Sequence, residues 1–386
     1  MERTQKFIDY IIYLLLLFYT FIDCVSGFFA MHGLPSLSVP YKMFLILLMT
    51  LNIKFYRGIL FYTYIFALIF VCLCHYLFLP NTDLGTSLAM LLRIIMAPFL
   101  FLYISHSYDR RDPKLFNICK INLFVMIGNL LLGVLGLGTK TYGYSDDAFG
   151  FKGFIIDGNS LAVTIFVLYV FFLLEFPQKK VKFTVLFLVM GILVCTKVSI
   201  LAIILFGFYY YLRTTPTKKK IPVFIFLGTI TTAGIIFIIN SDFFAFQVWR
   251  IKHLMKLYNG NYLSVILSGR DVKLIDHFEF FNDNFSFSNL LFGYGFLNIL
   301  DIIELDLFDT FFSYGLLFFI AVISFYMFCF YRNRKNREVT FFNLLYLAIC
   351  LSSGHIWFNT MSALFFSIIN FYFGGDKKNE KYLLHN

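Results

Sequence analysis

Along its length the chain alternates long apolar runs with short polar breaks, and the runs carry almost no charge. About 20 apolar residues in a helix are enough to cross the roughly 30 Å hydrocarbon layer of a bilayer. On that measure about twelve membrane spans are predicted, at 8–29, 39–53, 58–79, 84–105, 117–138, 159–176, 183–196, 198–212, 221–240, 307–331, 340–355 and 357–373. The second, seventh, eighth, eleventh and twelfth are short, which tilting, pairing or a re-entrant course would accommodate. Two polar segments stand out between the runs: 139–158, GTKTYGYSDDAFGFKGFIID, and the much longer 241–306.

Composition agrees with the pattern. The chain is 60% hydrophobic, 21% aromatic and only 14% charged, whereas soluble domains sit nearer 45–50% apolar. The predicted class is therefore an all-α, polytopic integral membrane protein. A formal net charge of +10 invites a nucleic-acid partner, but the cations are placed otherwise. They cluster between spans: Arg3 and Lys6; Lys54 and Arg57; Arg110, Arg111 and Lys114; Lys179, Lys180 and Lys182; Arg213 and Lys218 to Lys220; Arg332, Arg334, Lys335 and Arg337; Lys377, Lys378 and Lys381. Such clusters mark the cytoplasmic side of a cell membrane, so no nucleic acid is expected, both termini fall inside, and 139–158 and 241–306 fall outside. The chain then reads as one integrated membrane domain: spans one to nine over 1–240, an extracytoplasmic loop over 241–306, and the last three spans with a cytoplasmic tail over 307–386. The cysteines at 24, 72, 74, 119, 195, 329 and 350 lie in or beside apolar runs without a CxxC pair, so neither disulfides nor a metal cluster is expected. The first apolar run is long and no small-residue cleavage site ends it, which argues against a cleavable signal peptide.

The long outer loop holds the polar residues that need a reason, since loops of that length tend to be functional. FFAFQVWRIKHLMKLY, 243–258, spaces its apolar residues as an amphipathic helix lying on the outer leaflet, and Arg250 adds a candidate phosphate contact. SGRDVKLIDHFEFF, 268–281, predicts a second helix with Ser268 as N-cap and Asp271 closing a capping box. Its apolar stripe is Val272, Ile275, Phe278 and Phe281. Arg270 then falls in the first turn, where exposed N–H groups favour anions; a bound anion would explain a cation there, the plain alternatives being a solvated arginine or an ion pair with a nearby carboxylate. LFGYGF, 291–296, is a glycine turn. Glu304 and Asp306 stand at the entrance to the tenth span as interfacial carboxylates or site components, and Asp309 would enter the apolar run, where ionisable groups usually face a cavity or partner. Arg93 sits mid-span, Lys197 lies in the hairpin between spans seven and eight, and His355 ends span eleven, with a hydrogen-bonded structural role as its plain alternative. Asp9 and Asp23 have no evident role.

The order N-S-L-A (159–162), T-K-V-S (196–199), S-G-R (268–270), L-F-G-Y-G (291–295), E-L-D-L-F-D…Y-G (304–315) and G-H (354–355) resembles the Wzy-type polysaccharide polymerases, which build O-antigen, capsule and exopolysaccharide and are related to the O-antigen ligases. The resemblance covers about residues 150–365. It implies a GT-C-like membrane glycosyltransferase that moves a growing glycan from undecaprenyl pyrophosphate onto the next lipid-linked repeat unit, without metal or other cofactor. Membrane lipid, a flippase and a chain-length regulator would be its partners. By motif, Arg270 and Lys197 would hold the pyrophosphate, His355 would serve as acid/base group, and Glu304 and Asp306 would orient His355 or the acceptor sugar. Some relatives carry arginine-rich loops that this chain lacks. An O-antigen-ligase-like transferase, with similar chemistry but a different acceptor, fits the same sequence, and a transporter or repeat-unit flippase fits it less well. Transporters keep their ionisable groups near mid-membrane, as Arg93 does, whereas here most polar residues lie in the outer loop.

Overall fold

Every described apolar run folds as a helix in the computed structural model, which describes residues 2–52, 70, 77, 84–142, 149–216, 242–295, 302–354, 356–358 and 360–374. The predicted span at 221–240 and nearly all of that at 58–79 lie outside these residues. In chain order the helices are α1 (Glu2–Leu17), α2 (Tyr19–Met31), α3 (Ser38–Leu51), α4 (Leu84–Ser107), α5 (Pro113–Val134), α6 (Gly158–Glu175), α7 (Lys180–Val194) and α8 (Lys197–Thr214). The polar segment 241–306 supplies α9 (Asp242–Leu257), α10 (Tyr262–Leu267), α11 (Arg270–Asp283) and α12 (Phe287–Phe292). The last three are α13 (Asp306–Asn333), α14 (Arg337–Ser353) and α15 (Thr360–Tyr372).

Five of these, Ala89–Ser107 of α4 together with α5, α6, α8 and α13, are long and apolar enough to cross a membrane, and the bent pair α1–α2 makes a sixth if it is one span. The chain is thus a mostly helical protein whose apolar helices fit a multi-pass membrane protein. α3, α7, α14 and α15 are shorter, at 14, 15, 17 and 13 residues. α15 would reach only about 20 Å at 1.5 Å per residue, so it does not cross a bilayer unaided. It is instead buried along its whole length, packed on α4 and α6. α6 is buried without a break from Ser160 to Leu173. Helices apolar on every side belong in the middle of a bundle, and these two form its centre.

Two helix breaks are repaired by neighbours. α1 and α2 meet at 58° around Phe18, although no Pro or Gly marks the site. Asn122 of α5, fully buried, donates to the carbonyls of Leu16 at 3.0 Å and Leu17 at 3.2 Å and accepts from the Thr20 N–H at 2.8 Å. Inside a membrane such freed backbone groups must find protein partners. α13 breaks at Gly315, whose φ of 76° and ψ of 179° lie where only glycine is comfortable. The carbonyls this frees, on Phe312 and Ser313, accept from the N–H groups of Tyr294 at 2.9 Å and Gly295 at 3.1 Å. A Cβ on Gly293 would run into the Ser313 backbone, and one on Gly315 into the backbone of Leu291 and Gly293. The L-F-G-Y-G and S-Y-G motifs are therefore one backbone contact.

The expectation of an all-helical chain needs one correction. Within 139–158, β1 (Thr139–Tyr142) and β2 (Phe149–Gly153) pair antiparallel, with Lys140 opposite Phe151 and Tyr142 opposite Phe149. Threonine, tyrosine and phenylalanine favour this pairing, and Asn129 of α5 anchors it, donating to the Lys152 carbonyl and accepting from the Phe154 N–H, both at 2.8 Å. Several turns gather at this hairpin end. The Phe154 backbone lies against Gly27 of α2, and Gly150 lies against Val194 and Cys195 between α7 and α8.

Candidate functional site

The predicted amphipathic helix over 243–258 is present as α9, and the second helix is α11. The cap predicted for α11 is not. Ser268 ends α10 with a φ of 56°, and Gly269, with a φ of 80°, stands at the N-cap without a side-chain bond. Their N–H groups return to the carbonyls of Val265 at 3.3 Å and Ser264 at 2.7 Å, so S-G is a helix C-terminal turn. Asp271 accepts from the Ser264 hydroxyl one helix back rather than closing a box with Ser268. The turn needs glycine twice over: the backbone is left-handed, and a Cβ would strike the Tyr258 ring. It also aims the next residue. Of the predicted stripe, Val272 and Ile275 are exposed, Phe278 is partly exposed with its ring edge-on to Phe312, and Phe281 packs with Ile303, Leu305 and Phe312.

Arg270 emerges from this turn into a polar cluster. Its Nη2 lies 2.9 Å and its Nε 3.3 Å from Glu304 Oε2, and Nη1 donates to the Ser352 carbonyl at 2.8 Å. The ion pair, one of the plain alternatives for this cation, is thus formed. The arginine side chain is 16% exposed and that of Glu304 39%. Glu304 itself is held in the left-handed region, at a φ of 68°, with Gly354 packed so closely on its backbone that a Cβ would collide with its carbonyl.

The two aspartates that follow face backbone rather than solvent. Asp306 is fully buried, and its Oδ2 accepts from the N–H groups of Ile356 at 2.8 Å and Trp357 at 3.0 Å. Asp309, 3% exposed, accepts from Ile303 and Leu305, both at 2.9 Å. The first fixes the loop between α14 and α15, and the second fixes the chain that delivers Glu304. Lys273 adds a further tie, donating to the Ile302 carbonyl at 3.0 Å. Segments far apart in sequence, 268–273, 302–309 and 352–357, therefore meet in one network.

The other predicted residues lie elsewhere or outside the description. Lys197 is exposed at the first position of α8, just past the Cys195 that touches the hairpin. Arg250 is in α9, which packs on α10. His355 lies outside the described residues; those on either side of it, Gly354 and Ile356, are the ones bound to Glu304 and Asp306. No group of three or more His, Cys, Asp or Glu is arranged to hold a metal among the described residues.

Sequence reasoning missed a second polar feature at the hairpin end, a cavity of about 290 Å³ whose lining includes Asp23, Ser36, Lys42, Arg93, Asp157 and Thr360. Asp23 had no partner visible in sequence because its partners come from α3: Lys42 Nζ at 2.7 Å and the Ser38 hydroxyl at 2.6 Å. Asp9 likewise accepts from Asn52 and from Tyr103 at 3.3 Å. The cavity shares a loop with the cluster, since Phe358, Thr360 and Met361 line it directly after the Ile356–Trp357 pair that Asp306 holds.

No protein-family model matches the chain, and no curated protein or solved structure is significantly similar to it.

Proposed function

We propose that the chain is a GT-C-type glycosyltransferase with about twelve spans that polymerises undecaprenyl-pyrophosphate-linked repeat units on the outer face of a bacterial cytoplasmic membrane. The observation that supports this reading best is convergence. Residues of S-G-R, L-F-G-Y-G, E-L-D-L-F-D…Y-G and the residues flanking G-H, scattered over 268–357, touch one another directly.

In this reading the hairpin end is outermost and both termini are cytoplasmic. An acceptor hydroxyl attacks the anomeric carbon of the donor's first sugar. The bond from that carbon to the pyrophosphate oxygen breaks, and undecaprenyl pyrophosphate departs with the electron pair. His355 takes the hydroxyl proton, a task suited to a group titrating near neutral pH. Arg270 exchanges Glu304 for the departing pyrophosphate, where its planar fork can bind two oxygens. Because one anion replaces another, the mostly buried Arg270 charge is not left unmatched, which would be costly. Glu304, released, accepts from the acceptor sugar. Asp306 and Asp309 act as positioning residues, and Lys197 and Arg250 supply further positive charge to the lipid phosphates.

The test is deletion of the gene followed by sizing of the surface glycan. Loss of long polymer, with single repeat units still made, is the expected result. Unchanged chain lengths would remove the proposal. Unpolymerised glycan that also fails to reach its final acceptor would favour the ligase-like alternative.

A further inference from the structure

The cavity at the hairpin end takes no part in the bond making and breaking described above, and although its formal charges balance, Asp23 and Asp157 against Lys42 and Arg93, its hydrogen bonds do not. Its volume of about 290 Å³ lies near the lower limit for small-molecule sites. Lys42 is matched by Asp23, 2.7 Å away. Asp157 is committed to the first turn of α6, where it accepts from the Asn159 N–H at 3.0 Å and from the Ser160 hydroxyl and meets the positive end of the helix dipole. Arg93 has no such match. Its hydrogen bond is to the Met90 sulfur at 3.5 Å, and a thioether is a weak acceptor. Tyr314, Asp23 and Asp157 influence it only through their field. A guanidinium stays protonated and carries five donors, and an arginine within an apolar helix is expensive unless something uses it.

We infer that this cavity binds the carboxylate of an acidic sugar residue, with Arg93 as its bidentate partner. The ligand's charge follows from that geometry: one donor fork with no carboxylate on it suits a monoanion with two coplanar oxygens, whereas a pyrophosphate carries more charge than a single arginine balances. The sugar follows from the rest of the lining. The Ser26 and Ser36 hydroxyls, 2.7 Å apart, and the Ser38 hydroxyl, whose proton goes to Asp23, border the same space; all three can accept from a ring hydroxyl, and one of the Ser26–Ser36 pair can also donate. The site would therefore select repeat units that carry an acidic sugar. In taking the ligand to be a sugar, the inference rests on the transferase reading.

Binding to the purified full chain in detergent, followed by saturation-transfer NMR, tests it with three probes: glucuronate, glucose and inorganic phosphate. Glucuronate should bind at least about tenfold more tightly than glucose, the gain expected of one charge-assisted contact. Arg93→Gln should erase that preference, while Arg93→Lys keeps part of it; thermal melting checks that both variants fold. The comparison of probes on the parent protein needs neither variant. Equal binding of the two sugars, no binding of either, or displacement of glucuronate by phosphate at equal or lower concentration would overturn the inference. Because binding is read without turnover, a chain that binds glucuronate but makes no polymer refutes the proposed function and spares this site. A chain that polymerises but ignores glucuronate does the reverse.

Discussion

Arg270 carries the most specific residue-level prediction. Its fork is set by the S-G turn and engaged on two sides, by Glu304 and by the Ser352 carbonyl. If the same fork binds pyrophosphate as it departs, Arg270→Lys should fail nearly as badly as Arg270→Ala despite keeping the charge. A charge-assisted bond made only in the transition state corresponds to roughly 10- to 150-fold in rate. Steady-state rates of purified variants check this, and a parent-like rate for Arg270→Lys would reduce the residue to its ion pair. Asp306 predicts a different kind of loss. Asp306→Ala orphans two buried N–H groups, each worth about 1–3 kcal/mol, so its melting temperature in detergent should fall and its folded yield should drop. At this scale the sequence was legible in part. Arg270 as an anion-seeking cation and Asp309 as a buried carboxylate were readable from position. Ser268 as a cap was not, because a left-handed glycine following it turns the chain before a cap can form.

Elements were legible where periodicity alone decides them and illegible where a distant residue intervenes. Runs at 117–138 and 159–176 predicted α5 and α6 closely, since nothing but apolar length was needed. The break between α1 and α2 was not readable, because its cause is Asn122, more than a hundred residues away. Asn122→Leu should therefore destabilise the fold by about 1–3 kcal/mol for each backbone group left unpaired. Differential scanning in detergent reads that shift, and an unchanged melting temperature would mean the break needs no outside partner. Gly315 makes the companion case. Gly315→Ala must hold a Cβ at a φ of 76° against the Leu291 backbone, which costs about 1–3 kcal/mol from conformation alone. It should separate α12 from α13 before the bundle itself melts, visible as loss of amide protection at Tyr294 and Gly295. The hairpin at 139–153 was read as loop for want of a turn signal strong enough to set its register.

For the whole molecule, the alternating cation clusters make topology testable. A cysteine placed at Asn282, which is exposed on α11, should label in intact cells with an impermeant reagent, and one placed at Thr217 should not. Labelling at 217 would invert the assignment and remove the site from the outer face. Membrane class was plain from composition, but the depth of the bundle was not. α15 is short for a span and is buried along its whole length, which could not be read in advance because burial depends on what surrounds a helix rather than on its own residues. The cavity was hidden for the same reason, its walls coming from α2, α3, α4, the loop at 155–157, Phe358 and the start of α15. The central claim is glycan polymerisation, and the most direct measurement is incubation of the purified full chain with an undecaprenyl-pyrophosphate-linked repeat unit, with product length read on a gel. The parent should yield a ladder of increasing length and release undecaprenyl pyrophosphate, while His355→Ala, folded and in equal amount, should leave single units. A parent that leaves the lipid-linked unit intact, or a His355→Ala variant that makes the same ladder, would contradict the account.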